Sequence, residues 1–435
     1  MNCIKVPQIL MPKEGTDLNK WSVVACDQYT SEPEYWKDVE DIVGDAPSTL
    51  KLTLPEVYLG NEDEQTRVDA IHSNMKSYVD KELLVPLDKG FVLVERDTGR
   101  EYKRNGIVVS VDLETYEYRK GEASLIRPTE MTVEERIPPR LKVRQTATIE
   151  LPHIMLIIDD PECSIIEPLI ARKDEFKKVY DTKLMKNGGH ITGWLIPEGS
   201  ETDDIMAKIE ALASPAAFKE RYSLDKDYPL LNMAVGDGNH SMATAKAAWE
   251  EIKKGLTDEE KESHPARYCL CEIVNIHDKS LEIEPIHRVI FGADMATFTD
   301  EAVKFYESKG CVCEINDELK DDDSQDVHRF VLLSEGKKCY MNVSKSAWGI
   351  PVATIQSFLD KFLKDHKDSK IDYIHGTDVV ENLSAKSGNI GLILPEVKKE
   401  DLFIGVIKDG VLPRKTFSMG EAYEKRYYME CKSII

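Results

Sequence analysis

The sequence predicts a mixed α/β protein of the α+β kind, on three observations. Strand-sized apolar runs recur through the chain, as at residues 91–95, 154–158 and 266–276, among stretches whose apolar residues fall at helical spacing. One apolar run, at residues 230–235, passes through a glycine-containing polar turn straight into a helix-forming stretch. The composition, 41% hydrophobic and 31% charged over 435 residues, is that of a folded soluble protein long enough for two or three domains.

Taken in order, Trp21-Ser-Val-Val-Ala-Cys-Asp-Gln-Tyr-Thr-Ser-Glu-Pro-Glu-Tyr-Trp36 reads as an apolar strand, a polar turn, and a helix beginning near Pro33. Asp27, Gln28, Thr30, Ser31 and Glu32 sit at that junction. Two readings stand: Ser31 with Glu34 forms a capping box, or the acids form a carboxylate pair at the edge of a site. A long amphipathic helix follows over residues 62–84, with Val68, Ile71, Met75, Tyr78 and Leu83 as its core stripe. The runs at 91–95 and 106–113 read as paired strands across a turn containing Gly99.

The next strand ends in Arg127, Thr129 and Glu130, and a helix carrying Arg136, Arg140 and Arg144 follows. Arg127, before a proline at a strand end, suits a fork for phosphate or carboxylate, whereas scattered arginines belong to a solvated face. The strand in Leu151-Pro-His-Ile-Met-Leu-Ile-Ile-Asp-Asp160 closes on an acidic pair able to hold a divalent cation or simply to face water. The strand at 187–196 starts from a glycine pair and carries His190 and Thr192 on one face, and a helix over 202–222 leads onward.

The junction Met233-Ala-Val-Gly236-Asp-Gly-Asn-His-Ser241 is the densest in chemistry. A strand-to-helix turn aims free backbone N–H groups and the positive end of a helix dipole at one point, which suits a phosphate. Gly236 and Gly238 permit positive φ and close approach of a ligand, Asn239 or Ser241 can cap the helix, and Asp237 and His240 add a carboxylate and an imidazole. A strand at 266–276 follows, then a His287-Arg288 pair beside a proline. Beyond it the pattern gives a helix at 296–309, strands near 311–315, 330, 340, 371 and 390, helices at 351–366 and 379–386, and an acidic loop at 320–326. Arg414 and Lys415 place cations in a final polar loop.

The net charge of −22 argues against a nucleic-acid partner or an anionic membrane, because neutralising phosphates needs a basic face. No apolar run approaches membrane-spanning length. Nine cysteines, an odd number without a secretory signal, fit a reducing cytoplasm. The Cys269/Cys271 and Cys311/Cys313 pairs lie in strands, so each pair faces one way and lacks the bite of a zinc ribbon. No P-loop or protein-kinase motif set is present.

Asp-Gln-Tyr-Thr-Ser-Glu-Pro, Leu-Pro-His-Ile-Met-Leu-Ile-Ile-Asp-Asp, Gly-Asp-Gly-Asn-His-Ser, Pro-Ile-His-Arg-Val, Asp-Tyr-Ile-His-Gly and Leu-Pro-Arg-Lys-Thr-Phe, in this order, resemble the family known as domain of unknown function 1015. Its central motif, usually Asp-Gly-His-His-Arg, is similar to that of ParB-like free serine kinases. The resemblance implies a ParB/sulfiredoxin-like core elaborated with extra mixed sheet and helices. It also implies phosphoryl transfer from a phosphoanhydride, pyrophosphate or else ADP or ATP, to the hydroxyl of free L-serine. Asp237 and Gly238 match the motif and His240 its second histidine, while Asn239 and Ser241 replace histidine and arginine. With the residue reading, this gives an expected site. Asp237, His240, Glu32 and Glu130 are catalytic, with Asp237 on Mg²⁺. Gly236, Gly238, Asn239, Ser241, Arg127, His287, Arg288, Arg414 and Lys415 bind phosphate, and Asp27, His190 and Thr192 bind substrate. The alternatives are a nucleotide-binding regulatory module and a metal phosphoesterase using Asp159, Asp160, Asp237 and His240. The expected regions are 1–120, 121–292 with the phosphate turn, and 293–435.

Overall fold

The strongest apolar runs of the first 282 residues pair edge to edge into one mixed sheet. The protein is described by a computed structural model that covers residues 3–435 apart from 120–121, 133, 135–136, 225, 319–326, 375, 397 and 414–415. Arg136, Arg414, Lys415 and the acidic loop at 320–326 lie outside the described residues. The described sheet has nine strands: β1 (Ile4–Lys5), β2 (Gly90–Asp97), β3 (Arg104–Asp112), β4 (Ile126–Pro128), β5 (Met155–Ile158), β6 (Lys177–Leu184), β7 (Gly189–Pro197), β8 (Met233–Asp237) and β9 (Tyr268–Asn275). Their order is β4-β8-β5-β9-β3-β2-β7-β6, with β1 added to β3. β8 runs parallel to β4 and antiparallel to β5, and β5 runs parallel to β9; the remaining pairs are antiparallel. The fold is therefore mixed α/β, as the sequence predicts.

Helices cover this sheet: α1 (Pro33–Val43), α2 (Glu64–Asp80), α3 (Ile137–Arg144), α4 (Ser200–Leu212), α5 (Pro215–Arg221) and α6 (Asn239–Ile252). The α2 stripe Val68, Ile71, Met75 and Tyr78 is buried as its period requires. The single helix expected over 202–222 is two, because Pro215 lacks an amide proton and opens a new helix at its own first turn. Ser31 forms no capping box, since α1 starts behind Glu32, which makes no side-chain cap.

The chain divides into two compact units, Met1–Glu282 with Met419–Ile435, and Ile283–Ser418. This replaces the three expected regions. Residues 1–120 cannot stand apart from 121–292, because β3 is hydrogen-bonded to β9 along seven residue pairs from Tyr268↔Asp112 to Val274↔Gly106. The second unit has an antiparallel sheet of β10 (His287–Phe291), β11 (Val312–Asn316), β12 (Val327–Ser334), β13 (Lys337–Ser344), β14 (Lys370–Ile374) and β15 (Asn389–Ile393), in the order β11-β13-β12-β15-β10-β14. Its helices are α7 (Met295–Ser308), α8 (Pro351–Asp365), α9 (Thr377–Ser384) and α10 (Lys399–Asp409). The last was not read from sequence, although Leu402, Phe403, Val406 and Ile407 form its buried stripe. Among the described residues no helix is long and apolar enough to cross a membrane.

Candidate active site

The turn after β8 is tighter than expected. β8 runs on through Asp237 and α6 begins at Asn239, so Gly238 alone joins them, at φ +81°. That conformation suits glycine, and a Cβ there would lie 3.0 Å from the Ile154 Cα. Asn239, His240 and Ser241 accordingly belong to the first turn of α6 instead of capping it. Asp237 folds its Oδ1 back onto the Gly238 N–H at 3.0 Å.

Strand directions decide what shares this edge. In parallel β4, Pro128 lies opposite Val235, and Thr129 Oγ1 donates to the Val235 carbonyl at 2.7 Å, so the chain enters Glu130 from beside the last residues of β8. In antiparallel β5 the same edge is the entry end, so His153 and Ile154 arrive beside the turn. By the same rule Asp159 and Asp160, at the far end of β5, lie four residues or more beyond Met155, which pairs with Asp237; that is about 13 Å at strand rise. Their carboxylates are also engaged. Asp159 meets His277 and the Tyr222 hydroxyl at 2.6 Å each, and Asp160 accepts from Ser164 and Ile165 amides at 2.7 and 3.0 Å. A metal phosphoesterase site joining these acids to Asp237 is therefore excluded.

Two distant segments complete the edge. Residues 23–25 pair with 426–428 through a Val24↔Tyr427 bridge, the Ala25 N–H to Arg426 carbonyl bond (2.9 Å) and the Tyr428 N–H to Val23 carbonyl bond (2.9 Å). Arg426 is buried between Glu272 of β9 and Glu430, the latter at 2.5 Å, which fixes this segment on the sheet. Its neighbours then reach the turn. Lys425 Nζ lies 3.4 Å from Asp237 Oδ2, and the Tyr428 hydroxyl lies 2.8 Å from His153 Nδ1. His153 Nε2 is 2.9 Å from Ser241 Oγ and 3.7 Å from Asp27 Oδ2.

Burial works against ionisation of Asp27, yet the His153 imidazole, the Gln28 amide and the Lys425 ammonium outweigh it and hold its carboxyl below the usual range. Glu56 behaves oppositely: burial raises it although Arg140 pairs with it, and the charge of Asp27 adds to the rise. Burial, reinforced by Arg426, pushes Arg104 down to about 10, and Arg104 shares the field of Asp237. Ser241, Thr244, His153, Glu56, Arg140 and Tyr428 line a cavity of about 140 Å³ whose other walls are largely apolar.

Several expected site residues are not at this turn of the first unit or belong to the second unit. Arg127 Nη2 donates to the carbonyls of Pro229 (3.1 Å) and Leu230 (3.5 Å), on the approach to β8 and at the opposite end from Asp237. His190 and Thr192 are on β7, five places from β8 in the sheet, and His190 pairs with Asp181 at 2.5 Å. His287 and Arg288 are buried in β10 of the second unit, where His287 Nδ1 accepts the Leu394 N–H at 3.2 Å. Glu32 is exposed in the loop before α1. Gly236, Asp237, Gly238, Asn239, His240, Ser241, Glu130 and Asp27 do belong to the one edge. Sequence reasoning missed His153, Lys425, Tyr428, Glu56 and Arg140 as site residues. His153 stood inside a quoted segment, and its signal was a histidine directly before a buried strand.

The sequence profile of the family described as Protein of unknown function (DUF1015) matches residues 10–362. The chain belongs to this family. Solved structures similar to this DUF1015 member include a conserved hypothetical protein from Pyrococcus furiosus, at 11% identity over 74% of this chain and 90% of that one, TM-score 0.33. A free serine kinase in complex with AMP is similar at 12% identity over 74% and 90%, TM-score 0.37. SbnI with a C-terminal truncation, from Staphylococcus aureus, is similar at 7% identity over 72% and 81%, TM-score 0.34. No curated protein matches the chain.

Among the described residues of this DUF1015 chain, no group of three or more His, Cys, Asp or Glu forms a metal cage, and all nine cysteines are free. The donor set fits Mg²⁺ only as that ion is held beside phosphates, by one or two carboxylates with the substrate supplying further oxygens. Asp237, whose Oδ2 lies 3.4 Å from Lys425 Nζ, is a carboxylate with lone pairs for that role.

Proposed function

We propose that this protein is a small-molecule phosphotransferase that moves a phosphoryl group from a phosphoanhydride, pyrophosphate or else ADP or ATP, to the hydroxyl of free L-serine, giving O-phosphoserine. The observation that carries this is the convergence at one sheet edge of the α6 N-terminus, Asp237 with Lys425, and the Asp27–His153–Ser241 group. Phosphoryl transfer is mostly positioning and charge stabilisation, and needs N–H donors, a cation and a group to orient the acceptor hydroxyl. Here the N-terminus of α6, the positive end of its dipole, receives the donor phosphate, Lys425 neutralises it, and Asp237 orients the reacting group. Glu130, which follows the Thr129 bonded to Val235 of β8, is the candidate base. Mg²⁺, when bound at Asp237, supplies charge neutralisation between the donor's phosphates. The choice of serine rests on the motif resemblance.

The test is purified protein with L-serine, Mg²⁺ and each donor in turn, with phosphoserine measured by mass spectrometry. Phosphoserine formed with any one donor supports the reading, and none with all three ends it. Tight nucleotide binding by calorimetry without turnover would instead assign the regulatory module.

A further inference from the structure

Resting on the phosphotransferase reading, we propose that Ser241 is a nucleophile that takes the phosphoryl group from the donor before the acceptor receives it. Ser241 Oγ and His153 Nε2 are 2.9 Å apart, within the range that lets a histidine accept a hydroxyl proton. The imidazole is held from its other side. Tyr428 lies edge-on to it, ring centroids 5.5 Å apart, with its hydroxyl 2.8 Å from Nδ1. Burial raises the Tyr428 phenol far above its ordinary range, so it stays neutral, and its oxygen already accepts the Cys26 N–H at 3.2 Å. In the tautomer with its proton on Nδ1, shared with the phenol oxygen, His153 presents the Nε2 lone pair to the Ser241 hydroxyl, and the Asp27 carboxylate 3.7 Å from Nε2 stabilises the imidazolium once the proton is taken. Ser241 also stands in the first turn of α6, where the positive end of the helix dipole favours growing negative charge. It opens on the cavity of about 140 Å³ that Thr244, Glu56 and Arg140 share, a space for the acceptor.

The chemistry closes in two steps. Ser241 Oγ attacks the terminal phosphorus of pyrophosphate; the new P–Oγ bond forms as the bridging P–O bond breaks. Orthophosphate leaves with that electron pair, and the hydroxyl proton passes through His153 Nε2 to it. The acceptor hydroxyl then attacks the same phosphorus, the P–Oγ bond breaks, and His153 returns the acceptor's proton to Oγ.

A covalent intermediate predicts exchange without acceptor. Full-length protein, Mg²⁺ and pyrophosphate are incubated with isotopically labelled orthophosphate and no serine, and label entering pyrophosphate is followed; ADP and ATP are run likewise with labelled AMP and ADP. Exchange is expected in the unmodified protein, together with one added phosphoryl mass on the Ser241 peptide. Exchange should be absent in Ser241→Ala and about 10²-fold slower or more in His153→Gln. Circular-dichroism melts check that both variants fold. Phosphoserine formation without exchange or label in the unmodified protein overturns the proposal and leaves the phosphotransferase reading standing. Exchange and label at Ser241 without phosphoserine keep the nucleophile and end the serine reading.

Discussion

At the scale of single residues, the site depends on groups whose ionisation the fold has set. Asp237 meets both a backbone N–H and Lys425, so Asp237→Asn removes the charge while keeping the shape. On the proposed reading, kcat for phosphoserine formation should drop about 10²-fold or more. Lys425→Met should cost a similar factor and weaken donor binding, seen as a higher KM for donor. Acid stability follows from the carboxylates held below their usual range. Asp27 owes this to His153, Gln28 and Lys425, and Asp159 to His277 and Tyr222, each against the opposing effect of burial. A depressed folded pKa means a contribution fully present above the ordinary carboxylate value of about 4 and lost as pH falls through the folded value. The urea midpoint should therefore hold steady from pH 7 to about 5 and decline below about 4. Asp159→Asn should flatten that decline.

At the scale of elements, the β8–α6 join turns on Gly238. Its φ of +81° and the 3.0 Å approach of Ile154 Cα leave an added methyl strained and crowded. Gly238→Ala should lower stability by about 1–2 kcal/mol, read by urea unfolding, and reduce activity more than that loss explains. Elements with a local period were legible in the sequence: the α2 stripe, the β2–β3 pair and the β8–α6 junction all carry their signal within a short window. Boundaries set by competing local chemistry were less so. Asn239 to Ser241 resemble a cap and prove to be helix, and Pro215 divides what its apolar neighbours suggested was one helix. Arg127, at the end of β4, looked free for an anion but is taken by the carbonyls of residues 229–230. The partnership of His153 with Tyr428 had no sequence signal, since it depends on a register between segments 275 residues apart.

At the scale of the whole molecule, a second compact unit is set within the sequence of the first, to which residues 419–435 return. Residues 283–418 produced alone should show a cooperative thermal transition by circular dichroism. Removal of 419–435 should instead abolish cooperative unfolding of the first unit, because Tyr427, Tyr428, Met429 and Cys431 belong to its core. Cutting the segment also takes Arg426 from Glu272, which keeps only Arg104, 3.8 Å away, and loss of one member of a buried ion pair costs about 3–5 kcal/mol. This late return also orders events during synthesis. Asp237, His153 and Ser241 leave the ribosome long before Lys425 and Tyr428, and at about 5–20 residues per second the interval is of the order of ten seconds or more. Throughout it the nascent chain carries the β8–α6 turn without the cation that meets Asp237 and the phenol that meets His153 in the folded protein. On the proposed reading no activity is expected before Lys425 and Tyr428 have been made, and a chain cut before residue 419 lacks part of the first unit's core together with two groups of the proposed site.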